Sequence, residues 1–281
     1  MRKPKITVIG GGTGIPVILK SLREKDVDIA AIVTVADDGG SSGELRKNIQ
    51  QLTPPGDLRN VLVAMSDMPK FYEKVFQYRF SEDAGAFAGH PLGNIIIAGL
   101  SEMQGSTYNA MQLLSLFFHT TGKIYPSSDQ PLTLHAVFKD GSEVAGESHI
   151  ADHPGMIDHV YVTNTLDDET PQASRRVVNT ILESDMIVLG PGSLFTSILP
   201  NIVIEEIGQA LLVNIEKVPR EYMDTNRFDE YLVQVEHDFA GLCKQVPRVI
   251  SSNFLRLENG GAFHDGDLIV DELMRIIQVR K

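Results

Sequence analysis

Ile6-Thr7-Val8-Ile9-Gly10-Gly11-Gly12-Thr13-Gly14 is the stretch on which the reading of this chain turns. A strand-like run passes directly into four glycines in five positions. Glycine lets the backbone turn sharply there and present bare N–H groups. A helix expected from about Ile15 adds the positive end of its dipole. Strand, glycine-rich turn and helix in that order form the phosphate-binding entrance of a doubly wound α/β domain. The dinucleotide fingerprint itself is not met. Counted from Gly10, Ile15 stands where the third glycine belongs, and Lys20-Ser21 lies too far into the helix for a Walker lysine. The spacing favours a phosphate-bearing ligand over an empty tight turn, and does not favour NAD in particular.

With 281 residues, 42% hydrophobic and 22% charged, the chain can bury the core of one large domain covering 1–281. A net charge of −12 argues against nucleic acid or an anionic membrane surface as partner, because both need a basic face. An anionic ligand must then be held by local donors. The single cysteine, Cys243, excludes an internal disulfide framework and fits a reducing cytosol. Met1-Arg2-Lys3 is basic, but the apolar run behind it is too short for a signal peptide. Apolar stretches such as 113–118 fall well below a membrane span, so a cytoplasmic protein without membrane insertion is expected.

Strands and helices alternate along the chain. Residues 29–35 and 186–189 read as buried parallel strands. Leu58, Val61, Leu62 and Met65 keep helical spacing after Pro54-Pro55-Gly56, with Asp57 placed as N-cap. Further helices are expected over 70–78, 92–103, 107–119 and 171–183. Between about 122 and 162 short strands at 132–138, 143–146 and 159–162 read as a small β-rich insertion. The fold class is thus α/β, a doubly wound domain with a mostly parallel sheet and this small β-rich insertion. One junction is abnormal: residues 202–210 are helical in pattern, yet 211–215 follow at once as a strand. Such connections normally need ~2–6 residues. Either the helix runs on, or a segment is missing between 210 and 211, and the second is the favoured reading.

Polar loops recur beside these elements. The second strand leads into Asp37-Asp38-Gly39-Gly40-Ser41-Ser42-Gly43. Paired carboxylates there can receive ribose hydroxyls or hold Mg²⁺ that bridges a diphosphate. Asp57-Leu58-Arg59-Asn60 sets an arginine in a first helical turn, against the dipole, so a phosphate or a buried carboxylate would explain it better than chance. His90-Pro91-Leu92-Gly93-Asn94 opens another helix with two side chains able to donate. Gly190-Pro191-Gly192-Ser193 looks like a second anion nest, with Ser193 and Thr196 as hydroxyl donors. Loops at the carboxyl ends of strands in an open α/β sheet meet at one crevice, and three of these loops are placed to do so.

Three patterns compete. Residues 39–43 spell G-x-S-x-G, but a nucleophile elbow needs a tight strand-to-helix turn. His149 and His153, with His159 nearby, hint at zinc, yet Pro154-Gly155 closes any helix at once. Cys243 has no triad in view and reads as a structural thiol.

Taken together, residues 10–14, 37–43, 54–60, 90–94 and 190–193 make the chain resemble the gluconeogenesis factor family (YvcK-like), a relative of 2-phospho-L-lactate transferase (CofD-like). The resemblance runs from residue 5 to about 210 and resumes through 249–265. It implies a Rossmann-like three-layer sandwich with a mostly parallel sheet, a cytoplasmic location, and binding of UDP-sugars such as UDP-N-acetylglucosamine. That branch is tied to gluconeogenic growth and cell-shape control without an established reaction. The transferase branch moves phospholactate from a guanosine-diphosphate-type donor with Mg²⁺. Gly-Gly-Ser-Ser-Gly followed by Arg46, and Pro-Pro-Gly-Asp-Leu-Arg-Asn, favour the first branch. Two departures stand out. The family usually carries another strand, polar loop and helix where Ala210 meets Leu211, and Phe263 replaces an arginine that some relatives place before His264-Asp265.

The expected ligand is a nucleotide or UDP-sugar, with its diphosphate on Gly10, Gly11, Gly12, Thr13 and Gly14 and with Gly190, Gly192 and Ser193 assisting. Asp37 and Asp38 face ribose or sugar hydroxyls, Ser41 and Ser42 flank them, and Asp57, Arg59 and Asn60 form the opposite wall near His90 and Asn94. No catalytic residue and no other cofactor is assigned. The competing reading is a Mg²⁺-dependent transferase with Asp37, Asp38 and Asp57 as metal ligands, and a nicotinamide dehydrogenase is third. Homo-oligomers and regulatory protein partners are compatible with the binding reading.

Overall fold

The computed structural model describes residues 2–49, 51–216, 255–258 and 261–279. β1 (Lys5–Gly10) and β2 (Asp28–Val33) are buried except at their first residues and pair in parallel, Ile6 opposite Ile29. Between them α1 (Ile15–Leu22) carries Pro16 in its first turn and buries Ile15, Ile18, Leu19 and Leu22, one stripe at helical spacing. A helix not expected from the sequence, α2 (Gly40–Asn48), starts inside the polar loop after β2 and buries only Ser42. α3 (Pro55–Met65) follows, opened by Pro54 and Pro55; Asp57 sits in its first turn and is not the N-cap. α4 (Lys70–Gln77), α5 (Leu92–Gln104) and α6 (Thr107–Phe117) match the expected helices closely. α5 ends on Gly105 in the left-handed region, φ 73°, and the Ser106 hydroxyl then caps α6 by accepting the Asn109 N–H at 3.1 Å.

β3 (Lys123–Pro126) pairs with β2 in parallel, so the expected insertion loses its first residues to the main sheet. What remains is antiparallel: β4 (Leu132–Phe138), β5 (Glu143–Ala145) and β6 (Ile157–Asn164), in the order β5-β4-β6, with the short α7 (Glu147–Asp152) between β5 and β6. β4 alternates buried and partly exposed residues along its length, the signature of a sheet with one covered face. α8 (Arg175–Glu183) begins after Ser174, whose hydroxyl accepts from Val177; residues 171–173 stay outside the helix expected there. β7 (Met186–Leu189) pairs with β1 and completes the parallel sheet β3-β2-β1-β7. Strand order therefore reverses at β1, the position at which such sheets open a crevice.

Alternate residues of β1 and β2 serve two cores. Ile6, Val8, Ala31 and Val33 pack with α1, α3, α5, α6 and a C-terminal helix α11 (Gly266–Val279), following α9 (Leu199–Ile202) and α10 (Glu205–Glu216) in the chain. Ile9 and Ile32 pack with the covered face of the antiparallel sheet and with α8 and α10. Helices, parallel sheet and antiparallel sheet with helices make the three layers.

At the abnormal junction the helix runs on: α10 passes through Ala210 and Leu211, and the strand expected over 211–215 does not form. Ile207, Ala210 and Leu211 are buried at i, i+3 and i+4, and Asn214 one turn on donates to the carbonyls of Ile181 and Ser184 at 2.9 and 3.0 Å. That amide satisfies the C-terminal end of α8, which fixes the register of the helix. Cys243 lies outside the described residues, as do residues 249–254 and 259–260 of the 249–265 stretch. Among the described residues no single helix is long and apolar enough to cross a membrane.

Candidate functional site

The loops after β1, β2 and β7 meet, together with α3 and α7, around two adjoining cavities. The larger, about 300 Å³, is lined by Thr13, Asp37, Asp57, Glu147, Ser148 and Ser197 among others. The smaller, about 220 Å³, is lined by Ser41, Ser42, Arg59, Asn60, Arg79 and Asn94. Asp37, Gly39 and Asp57 border both, so the two form one crevice.

The glycines of the first loop do something other than display free N–H groups. Gly10, Gly11 and Gly12 are buried. A Cβ on Gly12 would lie 2.2 Å from the Asp57 Cα, and one on Gly14 would lie 1.9 Å from the Pro191 carbonyl oxygen. The loop is thus clamped between the start of α3 and the loop after β7. The Gly12 N–H faces the Asp57 carboxylate and favours its charged form. Thr13, exposed, is the residue of this loop that faces the larger cavity. Gly190 is buried, while Gly192 and Ser193 are exposed and line neither cavity; Ser193 accepts the Thr196 N–H at 3.4 Å to start a π-helical turn over Leu194–Ile198.

The paired aspartates diverge. Asp37 accepts the Gly39 N–H at 2.8 Å and borders both cavities. Asp38 turns to the antiparallel layer and accepts the Ser148 N–H at 3.0 Å at the start of α7. Gly146 (φ 96°) makes that approach possible, since a Cβ there would lie 2.2 Å from Asp38 Oδ2. Asp38→Ala should cost about 1–2 kcal/mol by freeing this end of α7, readable as a fall in melting temperature with the protein still folded. Arg46 ties the same region together, donating to the Asp37 and Leu132 carbonyls at 2.9 and 3.1 Å.

Asp57, Asp37 and Glu147 make one end of the crevice acidic. Burial, with Asp37 adding, pushes the Asp57 carboxyl up to about 6 against the pull of Gly12 N–H and Arg59. Burial, with Asp37 and Asp57 adding, pushes Glu147 up to about 7, the Thr196 hydroxyl working the other way. At the other end, the buried Arg59 donates to the side-chain oxygens of Asn94 and Asn60 at 2.8 and 2.9 Å. Asn94 donates to Ser41 at 3.0 Å, and Ser41 pairs with His90 Nδ1 at 2.8 Å. Ser42 accepts the Gly56 N–H at 3.2 Å and fastens α2 to α3.

Sequence reasoning brought Thr13, Asp37, Asp57, Arg59, Asn60, Ser41, Ser42, His90 and Asn94 to this region. It missed Glu147, Ser148, Ser197 and Arg79. Glu147 follows Gly146 at a strand end, a usable local signal, but the approach of its neighbour Ser148 to Asp38 spans more than a hundred residues. Asp37, Asp38 and Asp57 do not converge as metal ligands, and no group of three or more His, Cys, Asp or Glu among the described residues is placed to hold a metal ion. The zinc pattern dissolves too: His153 lies on the Phe138 ring, 4.0 Å between centroids, and His159 pairs with Asp158. Ser41 is no nucleophile elbow, since β2 ends at Val33 and α2 starts only at Gly40.

A family model described as 2-phospho-L-lactate transferase CofD matches residues 6–212. A Streptococcus pneumoniae protein with a gluconeogenesis-factor name is 79% identical, all of both chains being covered in an alignment of 325 positions. The gluconeogenesis factor of Listeria innocua is 36% identical, covering 98% of this chain and 96% of its own. Among solved structures, a UPF0052 family member from Bacillus halodurans superposes with a TM-score of 0.79 at 30% identity, over 97% of this chain and all of its own.

Proposed function

This chain belongs to the 2-phospho-L-lactate transferase CofD family, and from that premise we propose that it is a nucleotide-sugar-binding regulator of the UDP-sugar type, serving gluconeogenic growth and cell-shape control. One observation carries the reading: a crevice at the carboxyl ends of β1 and β2 sets carboxylates at one end and a buried guanidinium at the other. Asp37 and Glu147 suit ribose and sugar hydroxyls, and Thr13 with Ser197 suits the diphosphate beside them. The names of the streptococcal and Listeria relatives support the gluconeogenic role. The pneumococcal alignment is longer than the 281 residues here, so that relative carries residues this chain lacks.

Calorimetric titration of the full chain with UDP-N-acetylglucosamine, GDP and NADPH, each with and without Mg²⁺, tests the proposal. Saturable binding of the UDP-sugar without Mg²⁺ and without product is the expected result, weakened about tenfold or more in Asp37→Asn by loss of a charged acceptor. The family match favours one second reading, a Mg²⁺-dependent transferase acting on a nucleoside-diphosphate-linked donor. GDP binding that requires Mg²⁺, with turnover, would establish that reading in place of the first.

A further inference from the structure

Arg59 is only 7% exposed, and its two terminal nitrogens each give one of their two hydrogens to a neutral amide oxygen, those of Asn94 and Asn60, leaving one N–H on each. Its Nε is buried without a protein partner. Arg79, on the rim of the same cavity, donates to the Gly89 carbonyl, again a neutral acceptor. Neither arginine makes an ion pair among the described residues, although the chain as a whole carries a net charge of −12. The carboxylate that acts on Arg59, Asp57, is itself stabilised by the Gly12 N–H. Burial and the neighbouring Arg79 cation both weigh against the charge on Arg59, bringing it down to about 10. A buried cation left with neutral partners, facing a second cation across a cavity, is costly until an anion enters.

The rest of the cavity has the chemistry to receive one. α2 starts there: Gly40, Ser41 and Ser42 of its first turn line the cavity, and no side chain caps the helix, which leaves first-turn N–H groups without a capping partner. Ser41, held by Asn94 and His90, fixes the amide that orients Arg59. We propose that the cavity between Arg59, Arg79 and the first turn of α2 is a subsite for a phosphate group, separate from the Thr13 end of the crevice. Planar guanidinium groups grip tetrahedral oxyanions through paired N–H donors, and the neighbouring hydroxyls complete the shell. The subsite stands on its own geometry and does not depend on a nucleotide sugar binding beside it. The phosphate belongs either to the nucleotide sugar itself or to a second, phosphorylated ligand.

Inorganic phosphate is the probe, titrated into the full chain by calorimetry at constant ionic strength without nucleotide. Saturable binding is expected, at least tenfold weaker in Arg79→Gln and in Arg59→Lys, and unchanged in Lys74→Gln, which removes one exposed charge from α4. Arg79 is exposed, so its variant keeps the test sound if the Arg59 variant fails to fold. Phosphate bound as tightly by Arg79→Gln as by the parent, or no saturation in the parent, overturns the proposal. Repeating the titration with saturating UDP-N-acetylglucosamine separates the two sources: competition assigns the phosphate to the nucleotide sugar, and independent binding assigns it to a second ligand. Titrating UDP-N-acetylglucosamine alone reports separately on the nucleotide reading.

Discussion

Gly12→Ala is expected to lower stability by about 3 kcal/mol, the upper range for overpacking a closed site, and melting by roughly 6–12 °C. The added methyl would lie 2.2 Å from the Asp57 Cα and 2.4 Å from its carbonyl oxygen. Both are backbone atoms at the start of a buried helix, so no side chain can swing aside. Either the glycine loop lifts away from α3 or α3 backs out of the core that Leu58, Val61 and Leu62 anchor. Both routes break the Gly12 N–H contact to Asp57 and reshape the crevice, so UDP-sugar affinity should fall in parallel. Gly99→Ala is the control. It sits within α5 with nothing within 4 Å of the added carbon, and alanine is favoured there by up to ~1 kcal/mol of helix propensity. Its melting point should match the parent or exceed it. Equal melting of parent and Gly12→Ala would show that the loop and helix do not approach so closely.

The same contact shows where sequence reading succeeds and where it stops. Strand, glycine turn and helix were legible because each is local: β-prone residues, four glycines, then an apolar stripe at helical spacing. Which atoms meet those glycines is not local. Gly12 faces Asp57 and Gly14 faces Pro191, partners supplied by later elements that fold against the loop. The glycines therefore record close approach as much as freedom of turn. The same limit explains Asp38, which looked like half of a ligand pair and instead accepts Ser148 N–H from the antiparallel layer. Arg59 was readable, because a cation in a first helical turn opposes the dipole and asks for a cause. Arg79 gave no such signal, since it lies outside any helix and reaches the crevice only because residues 79 and 91 form an isolated bridge. At 210–215 two readings were open, and the stripe of Ile207, Ala210 and Leu211 together with Asn214 settles the residues present as one helix.

Lowering the pH from 8 toward 5 should stabilise the protein, and Glu147→Gln should remove a large part of that dependence. Glu147 is pushed up to about 7 and Asp57 to about 6, chiefly by burial and then by their acidic neighbours. In the unfolded chain such groups titrate at ~4.3 and ~3.9. The folded state therefore binds protons more tightly than the unfolded state between those limits. Stability due to these groups is fully present below the unfolded values and is lost as pH rises through 6 and then 7. A tenfold difference in proton affinity between the folded and unfolded states corresponds to about 1.4 kcal/mol, but both side chains retain some solvent contact, so a gain of about 1–2 kcal/mol for Glu147→Gln at pH 8 is expected. Melting should then rise by roughly 2–8 °C at pH 8 and by much less at pH 5. Acidic surface groups such as Glu44, Glu183 and Asp140, all held below their ordinary values, act in the opposite sense and at lower pH. Thermal melts of parent and variant across this range read the difference directly, and parallel profiles would show that Glu147 is not the group responsible. The same protons couple to ligand: an anion brought against Asp57 and Glu147 raises their proton affinity further, so binding of a UDP-sugar should tighten as pH falls from 8 to 6. Neutralising one carboxyl in Glu147→Gln should flatten that slope as well, because the ligand then has one fewer charge to offset on entering the acidic end of the crevice.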